Sequence, residues 1–188
     1  MMQLIAIYLL LAVWGASEII VFRSDRQAGR GQRQDGYSRP LIFLAMNVAI
    51  TLSMTATFMH WWRLPGEWWT WWLAGSTLVA AGIGFRSRAV RHLGRHFRTH
   101  VTIMDDHELI EDGPYRRVRH PSYTGMLVSC IGLGVAMGNM AAILLLTLLP
   151  MAGLANRIRV EERALAKAFG REWEIYRART AALVPGLW

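Results

Sequence analysis

Between His107 and Gly125 the chain reads H-E-L-I-E-D-G-P-Y-R-R-V-R-H-P-S-Y-T-G, which gathers His107, Tyr115, Arg119, His120 and Tyr123 into one short run. Gly113-Pro114 is a turn signal, and Pro121 is tolerated in the first turn of a helix, so the run ends where a helix begins. A helix start presents unpaired N–H groups and a partial positive charge, which suit a carboxylate. The same residue types also suit plain anchoring, with Arg116, Arg117 and Arg119 on lipid phosphates and the tyrosines at the membrane interface. A second constellation, Arg157, Arg159, Glu161 and Glu162, follows the last apolar run. There an arginine can bind a substrate anion beside a carboxylate that positions or deprotonates its partner. The alternative is a set of snorkelling arginines and intrahelical ion pairs, since Arg157 and Glu161 are four apart. Both constellations flank one short apolar hairpin, so they must meet at one membrane face.

Other chemistries find no support. There is no Walker motif, no serine elbow and no His/Cys spacing that calls for a metal, and a single cysteine, Cys130, excludes an intrachain disulfide. Gly132, Gly134 and Gly138 mimic a dinucleotide-binding loop but lie inside an apolar run with no strand before them. They read as close-packing residues, Gly134 and Gly138 at a spacing that serves packing within the chain or between subunits. Glu18, near the cytoplasmic edge of the first apolar run, is a functional candidate by default, though its edge position favours a structural role. Asn47 is expected to bond a neighbouring helix.

The elements that must position these groups follow from composition. Of 188 residues 53% are hydrophobic and only 18% charged, where a soluble domain carries about 25% charge. The formal net charge is +8, yet the arginines sit between apolar runs rather than on one polar face, which points to a membrane and not to nucleic acid. Spans of roughly 20 apolar residues are expected at about 2–22, 41–60 and 68–85, with a tight hairpin of 123–138 and 140–155. The first is read as an uncleaved helix, since no basic segment precedes it. Twenty of the 21 basic residues fall on one side if the N-terminus lies outside, which orients the chain N-out and C-in. Six tryptophans around residues 61–72 mark the opposite interface. Residues 86–104, with Val90, Leu93, Phe97 and Val101 at helical spacing, predict an interfacial helix or a continuation of the third span. Residues 156–179 predict a helix leaving the membrane, and the loop 23–39 is rich in Gly, Arg and Gln. The fold expected is all-α: a polytopic integral membrane protein of about five spans, with a cytoplasmic interfacial helix and a C-terminal helix, in one domain covering 1–188.

The run G-P-Y-R-R-V-R-H-P-S-Y-T-G (113–125), with R-I-R-V-E-E-R-A-L-A-K-A-F-G-R-E-W-E-I-Y (157–176) and a closing V-P-G-L-W, resembles the isoprenylcysteine carboxyl methyltransferase family. The integral-membrane phospholipid methyltransferases share much of it, and L-G-R-H-F (93–97) and H-E-L-I (107–110) match as well. The resemblance covers about residues 86–188, and the family usually has Tyr where Trp173 stands. It implies methyl transfer from S-adenosylmethionine at the cytoplasmic face to a lipidic or prenylated acceptor arriving through the bilayer. By motif, His107, Leu109, Gly113, Tyr115, His120, Pro121 and Tyr123 would form the cofactor pocket, within a region of about 93–176. Arg157 and Glu162, with Glu161 beside them, would stand at the acceptor end. The acceptor is a carboxylate on the leading reading and the amine of phosphatidylethanolamine on the next. A NADPH-dependent reductase of the sterol reductase type and a non-enzymatic membrane protein are the readings from other classes. Oligomeric state is left open.

Overall fold

A computed structural model describes residues 1–26, 32–33, 38–94, 102–103 and 109–186. Six helices account for most of them: α1 (Met2–Arg26), α2 (Ser38–Phe58), α3 (Trp68–Leu93), α4 (Pro121–Ala136), α5 (Met140–Phe169) and α6 (Arg171–Arg179). Two two-residue strands, β1 (Gln32–Arg33) and β2 (Thr102–Ile103), pair antiparallel, and a 3-10 turn spans Gly113–Arg116. Three helices are long and apolar enough to cross a membrane, over Met2–Arg23, Pro40–Phe58 and Met140–Phe169. Helix α4 is apolar but has only 16 residues, about 24 Å at 1.5 Å per residue. The Trp-rich start and Arg-rich end of α3 keep that helix below the same measure.

The helices pack because small residues let their backbones touch. Gly75 and Gly82 of α3 face Gly125, Ser129, Gly132 and Ala136 of α4. A Cβ on Gly75 would sit 2.2 Å from the Ala136 amide nitrogen, and one on Gly125 would sit 2.7 Å from the Arg86 nitrogen. Between helices in a membrane, such close approach replaces the hydrophobic drive that a soluble bundle uses. Gly134 points the other way, where a Cβ would lie 2.6 Å from Ile143 Cα of α5. Its small size therefore serves the α4–α5 hairpin within the chain. The core behind these seams joins Ile7 and Trp14 of α1, Met46 and Ala49 of α2, Val79 of α3, Cys130 and Leu133 of α4, and Leu146 and Leu154 of α5. Ile5, Leu9, Phe43, Leu44 and Leu148 remain outward and exposed.

Far from the candidate residues, two turns are locked together. His60 and Trp62 adopt left-handed backbone (φ 58° and 53°), a conformation that costs a side-chain-bearing residue energy and persists only when its surroundings fix it. They are fixed by the Met140 amide donating to the Trp62 carbonyl (2.9 Å), the Leu64 amide donating to the Gly138 carbonyl (2.8 Å) and the Asn139 side chain donating to the Trp61 carbonyl. Asn139 also caps α5, its Oδ1 accepting from the Ala142 amide at 3.0 Å.

The structure alters several expectations. Helix α3 does not stop at residue 85 but continues to Leu93, where Gly94 (φ 50°) ends it. Of the two readings of 86–104, the continuation of the third span holds over 86–93; Thr102–Ile103 is extended where it pairs with Gln32–Arg33, and Phe97 and Val101 lie outside the described residues. The polar stretch after residue 156 begins as an unbroken extension of α5 and restarts as α6 only at Gly170 (φ 51°), where a glycine meets the left-handed geometry most easily. Asn47 donates to the Phe43 carbonyl four residues back (2.7 Å), not to a neighbouring helix. Helix α2 ends at Phe58, short of residue 60.

Candidate active site

The 30 residues of α5 extend about 45 Å, well beyond a hydrocarbon core of about 30 Å. Its polar C-terminal part, from Arg157 on, extends past the start of α4 and carries Arg157, Glu161 and Glu162. The hairpin is short, so α5 runs back along α4 and sets these three beside His120 and Tyr123. The Tyr123 hydroxyl donates to Glu161 Oε2 at 2.8 Å and accepts from Arg157 Nε at 3.2 Å. Arg157 Nε lies 4.0 Å from the same carboxylate, and the Arg157 side chain is almost wholly buried. His120 stacks on Tyr123, with ring centroids 5.5 Å apart and planes at 16°. Its Nε2 is 3.3 Å from Glu162 Oε1. An ionised carboxylate only accepts, so that nitrogen carries the proton.

Arg119 completes the cluster. Its Nε donates to Glu162 Oε1 at 2.8 Å, and Nη1 donates to the carbonyl oxygens of Arg177 (3.2 Å) and Thr180. The chain after α6 lies beside residues 117–120 like a short parallel strand. Arg119 and His120 amides donate to the Ala181 and Ala182 carbonyls (2.8 and 3.0 Å), the Ala181 amide to the Arg117 carbonyl (3.1 Å), and Thr124 Oγ1 to the Leu183 carbonyl (2.7 Å). Arg119 is thus not a lipid anchor, whereas Arg116 and Arg117 are exposed. Nor are Tyr115 and Tyr123 interface residues, since both are engaged inside the protein.

Glu162 lies in the polar extension of α5, beyond the apolar stretch. Burial raises its carboxyl pKa, but hydrogen bonds from His120 and Arg119 and the charge on Arg119 outweigh that and hold it well below the usual carboxylate range. The group therefore favours the folded state above its unfolded pKa of about 4.5, and that contribution is lost as pH falls through the depressed folded value. Thermal midpoints in detergent are expected to fall between pH 5 and about pH 2, and Glu162→Gln to flatten this dependence. An unchanged slope in the variant removes Glu162 as the group responsible.

The expected pocket residues are only partly brought together. Pro121 and His120 are buried at the start of α4 and Tyr123 is half-buried beside them. Tyr115 is buried in the packing, its hydroxyl donating to the Ala89 carbonyl (3.4 Å), its own carbonyl accepting from the Tyr176 hydroxyl (2.8 Å), and its ring stacked on His92. Burial, first, and the negative charge of Glu161 push its phenol above the ordinary range, so it stays protonated at any working pH. Gly113 has φ 55°, and a Cβ there would strike the His92 ring at 2.6 Å. The same glycine lines an open groove of about 490 Å³ with Phe85, Arg117, Val118, Thr124 and Leu183, a wall shared with none of Arg157, Glu161 or Glu162. Leu109 is half-buried, and His107 lies outside the described residues. Among the described residues no group of His, Cys, Asp or Glu is placed to hold a metal ion.

A helical fold with membrane-crossing helices and one buried Arg–Tyr–Glu–His cluster at a helix start defines a class of membrane protein with a polar site at the end of its bundle. The family model of the isoprenylcysteine carboxyl methyltransferase family matches residues 74–167, half of the 188-residue chain. The chain belongs to that family. It is 36% identical over 122 residues to a probable protein-S-isoprenylcysteine O-methyltransferase of Oryza sativa subsp. indica, covering 63% of each chain. It is 26% identical to the uncharacterized protein YpbQ of Bacillus subtilis over 83% of this chain and 92% of that one. A solved structure, the eukaryotic intramembrane Ras methyltransferase isoprenylcysteine carboxyl methyltransferase, shares the fold with a TM-score of 0.63 at 24% identity. That match covers 79% of this chain and 53% of the other. The chain thus spans less than two thirds of the rice relative and about half of the solved one.

Proposed function

We propose that the protein transfers a methyl group from S-adenosylmethionine to the carboxylate of a prenylcysteine-like lipidic acceptor, at the cytoplasmic face of a membrane it crosses about five times, N-out and C-in. The observation that carries the choice of acceptor is that both glutamates are already engaged. Glu162 is held by Arg119 and His120 with Arg177 Nε at 3.7 Å, and Glu161 accepts from Tyr123 beside Arg157. An amine acceptor must be neutral to attack and needs a base to take its proton. A carboxylate glutamate held by cations is a poor base. A carboxylate acceptor needs none, only a cation that holds it in line.

Bound adenosylmethionine supplies a methyl group on a sulfonium, an electrophile that needs orientation more than acid–base help. The residues present fit such a donor, because the stacked imidazole–phenol pair of His120 and Tyr123 offers aromatic faces to a flat base and to a cation. His120, Pro121 and Tyr123, with His107, Leu109, Gly113 and Tyr115 as the resemblance places them, would hold it. Arg157 would hold the acceptor carboxylate, with Tyr123 and Glu161 fixing the guanidinium. An acceptor oxygen forms the new bond to carbon as the carbon–sulfur bond breaks, so no proton has to move.

The test is label transfer from radioactive adenosylmethionine by purified protein in nanodiscs that contain phosphatidylethanolamine, with a farnesylcysteine derivative added. Label released as methanol by mild base is the expected result, since esters hydrolyse there. Label that stays on lipid after base would overturn the carboxylate assignment in favour of the phospholipid amine. Binding of NADPH with no binding of adenosylmethionine would overturn methyl transfer altogether.

A further inference from the structure

The α3–α4 seam brings a guanidinium, a carboxylate and the first turn of α4 to one point. Arg86, in the last third of α3, is only 9% exposed. Its Nη1 donates to both the carbonyl oxygen (2.9 Å) and Oγ (2.8 Å) of Ser122, and its Nη2 donates to Glu18 Oε2 of α1 at 2.9 Å. Ser122 stands between Pro121 and Tyr123, and Tyr123 is the residue whose hydroxyl joins Arg157 to Glu161. The approach depends on Gly125, because the Arg86 backbone lies where a side chain there would begin.

This arrangement is a poor device for stability alone. Replacing a buried ion pair by apolar groups is often neutral or stabilising. Arg86 Nε is buried and has no hydrogen-bond partner among the described residues, and a buried donor left unmade costs free energy. What the guanidinium does well is fix the place of one residue, Nη1 donating to both the carbonyl and the hydroxyl oxygen of Ser122 while Nη2 is held by Glu18. It does so in the turn that presents His120 and Tyr123.

We infer that Arg86 is a positioning residue: by gripping Ser122 it seats the first turn of α4 so that His120 and Tyr123 meet Arg157, Glu161 and Glu162, while Glu18 holds the other end of its guanidinium. What this seat serves rests on the methyl-transfer reading; the seat itself does not. The comparison that tests it is Glu18→Gln against Glu18→Gln/Arg86→Met, with Arg86→Lys beside them, in the full chain in nanodiscs. The double variant leaves no unpaired carboxylate, so it is less prone to misfold than Arg86→Met alone.

The first readout needs no ligand: amide hydrogen exchange across residues 119–126. A hydrogen bond to a charged group is worth about tenfold or more in an equilibrium. Exchange there is therefore expected to rise about tenfold in the double variant, and to stay within about threefold of wild type in Glu18→Gln, where Arg86 keeps its hold on Ser122. Arg86→Lys, which keeps a donor, is expected to fall between them. The second readout is adenosylmethionine titration, with Kd expected to rise in the same order. A mere strut between α1 and α3 would be lost equally in Glu18→Gln and the double variant, so equal exchange in those two overturns the inference. So does wild-type exchange in the double variant. Failure of the wild type to bind adenosylmethionine sinks the methyl-donor reading instead, and the exchange data still decide the role of Arg86.

Discussion

Arg157→Ala is expected to lower methyl transfer by a factor of about 10²–10³ or more, while adenosylmethionine affinity stays within about threefold of wild type. Arg157 is 2% exposed, and its guanidinium lies between Tyr123 and Glu161. A charged donor in such a dry site acts on developing or resident charge far more strongly than in water. On the proposed function, removing it leaves the acceptor carboxylate with no fixed cation, so the oxygen would no longer be held in line with the methyl group. His120 keeps its stack on Tyr123 and its contact with Glu162, so on the proposed reading the donor side is spared. Initial rates and calorimetric titration on the same preparation separate the two effects. A variant that turns over at the wild-type rate removes Arg157 from the acceptor site.

The second large effect concerns stability. Arg119→Ala is expected to cost about 3–5 kcal/mol, the usual consequence of taking one partner from a buried ion pair. The pair is well shielded, with side chains 8% and 14% exposed. The substitution also strips the hydrogen bonds to the Arg177 and Thr180 carbonyls, which tie the chain after α6 to the start of α4. A fall in thermal midpoint on the order of 10 °C is the corresponding shift for a chain of this size, measured in detergent against Arg116→Ala, whose side chain is exposed. Equal midpoints in the two variants would contradict the central place given to Arg119.

Arg119 shows how far the sequence carries. It stands in the run that draws attention, yet its residue type and neighbours are equally those of a lipid anchor. Nothing local reports that Glu162, 43 positions away, returns to meet it. Arg86 is harder still, being one of many arginines after the third apolar run, and only the α3–α4 seam shows that it faces inward to Ser122 and Glu18. The signals that could have marked both are indirect. Gly75, Gly82, Gly125 and Gly132 at helical spacing foretell a close seam, and Glu18 in an apolar run requires a cation.

The helices themselves were legible, because apolar runs of span length, with proline at a helix start, depend only on local geometry and on transfer from water. So was the meeting of the two polar constellations, since a two-helix hairpin returns its ends to one face whatever its details. Where α3 and α5 end was not, because the arginines that mark a membrane edge do not break a helix. Which arginine pairs with which glutamate belonged to the tertiary structure alone. Buried charges are distinguished from exposed ones by what packs over them, and that is fixed by contacts between residues far apart in the chain.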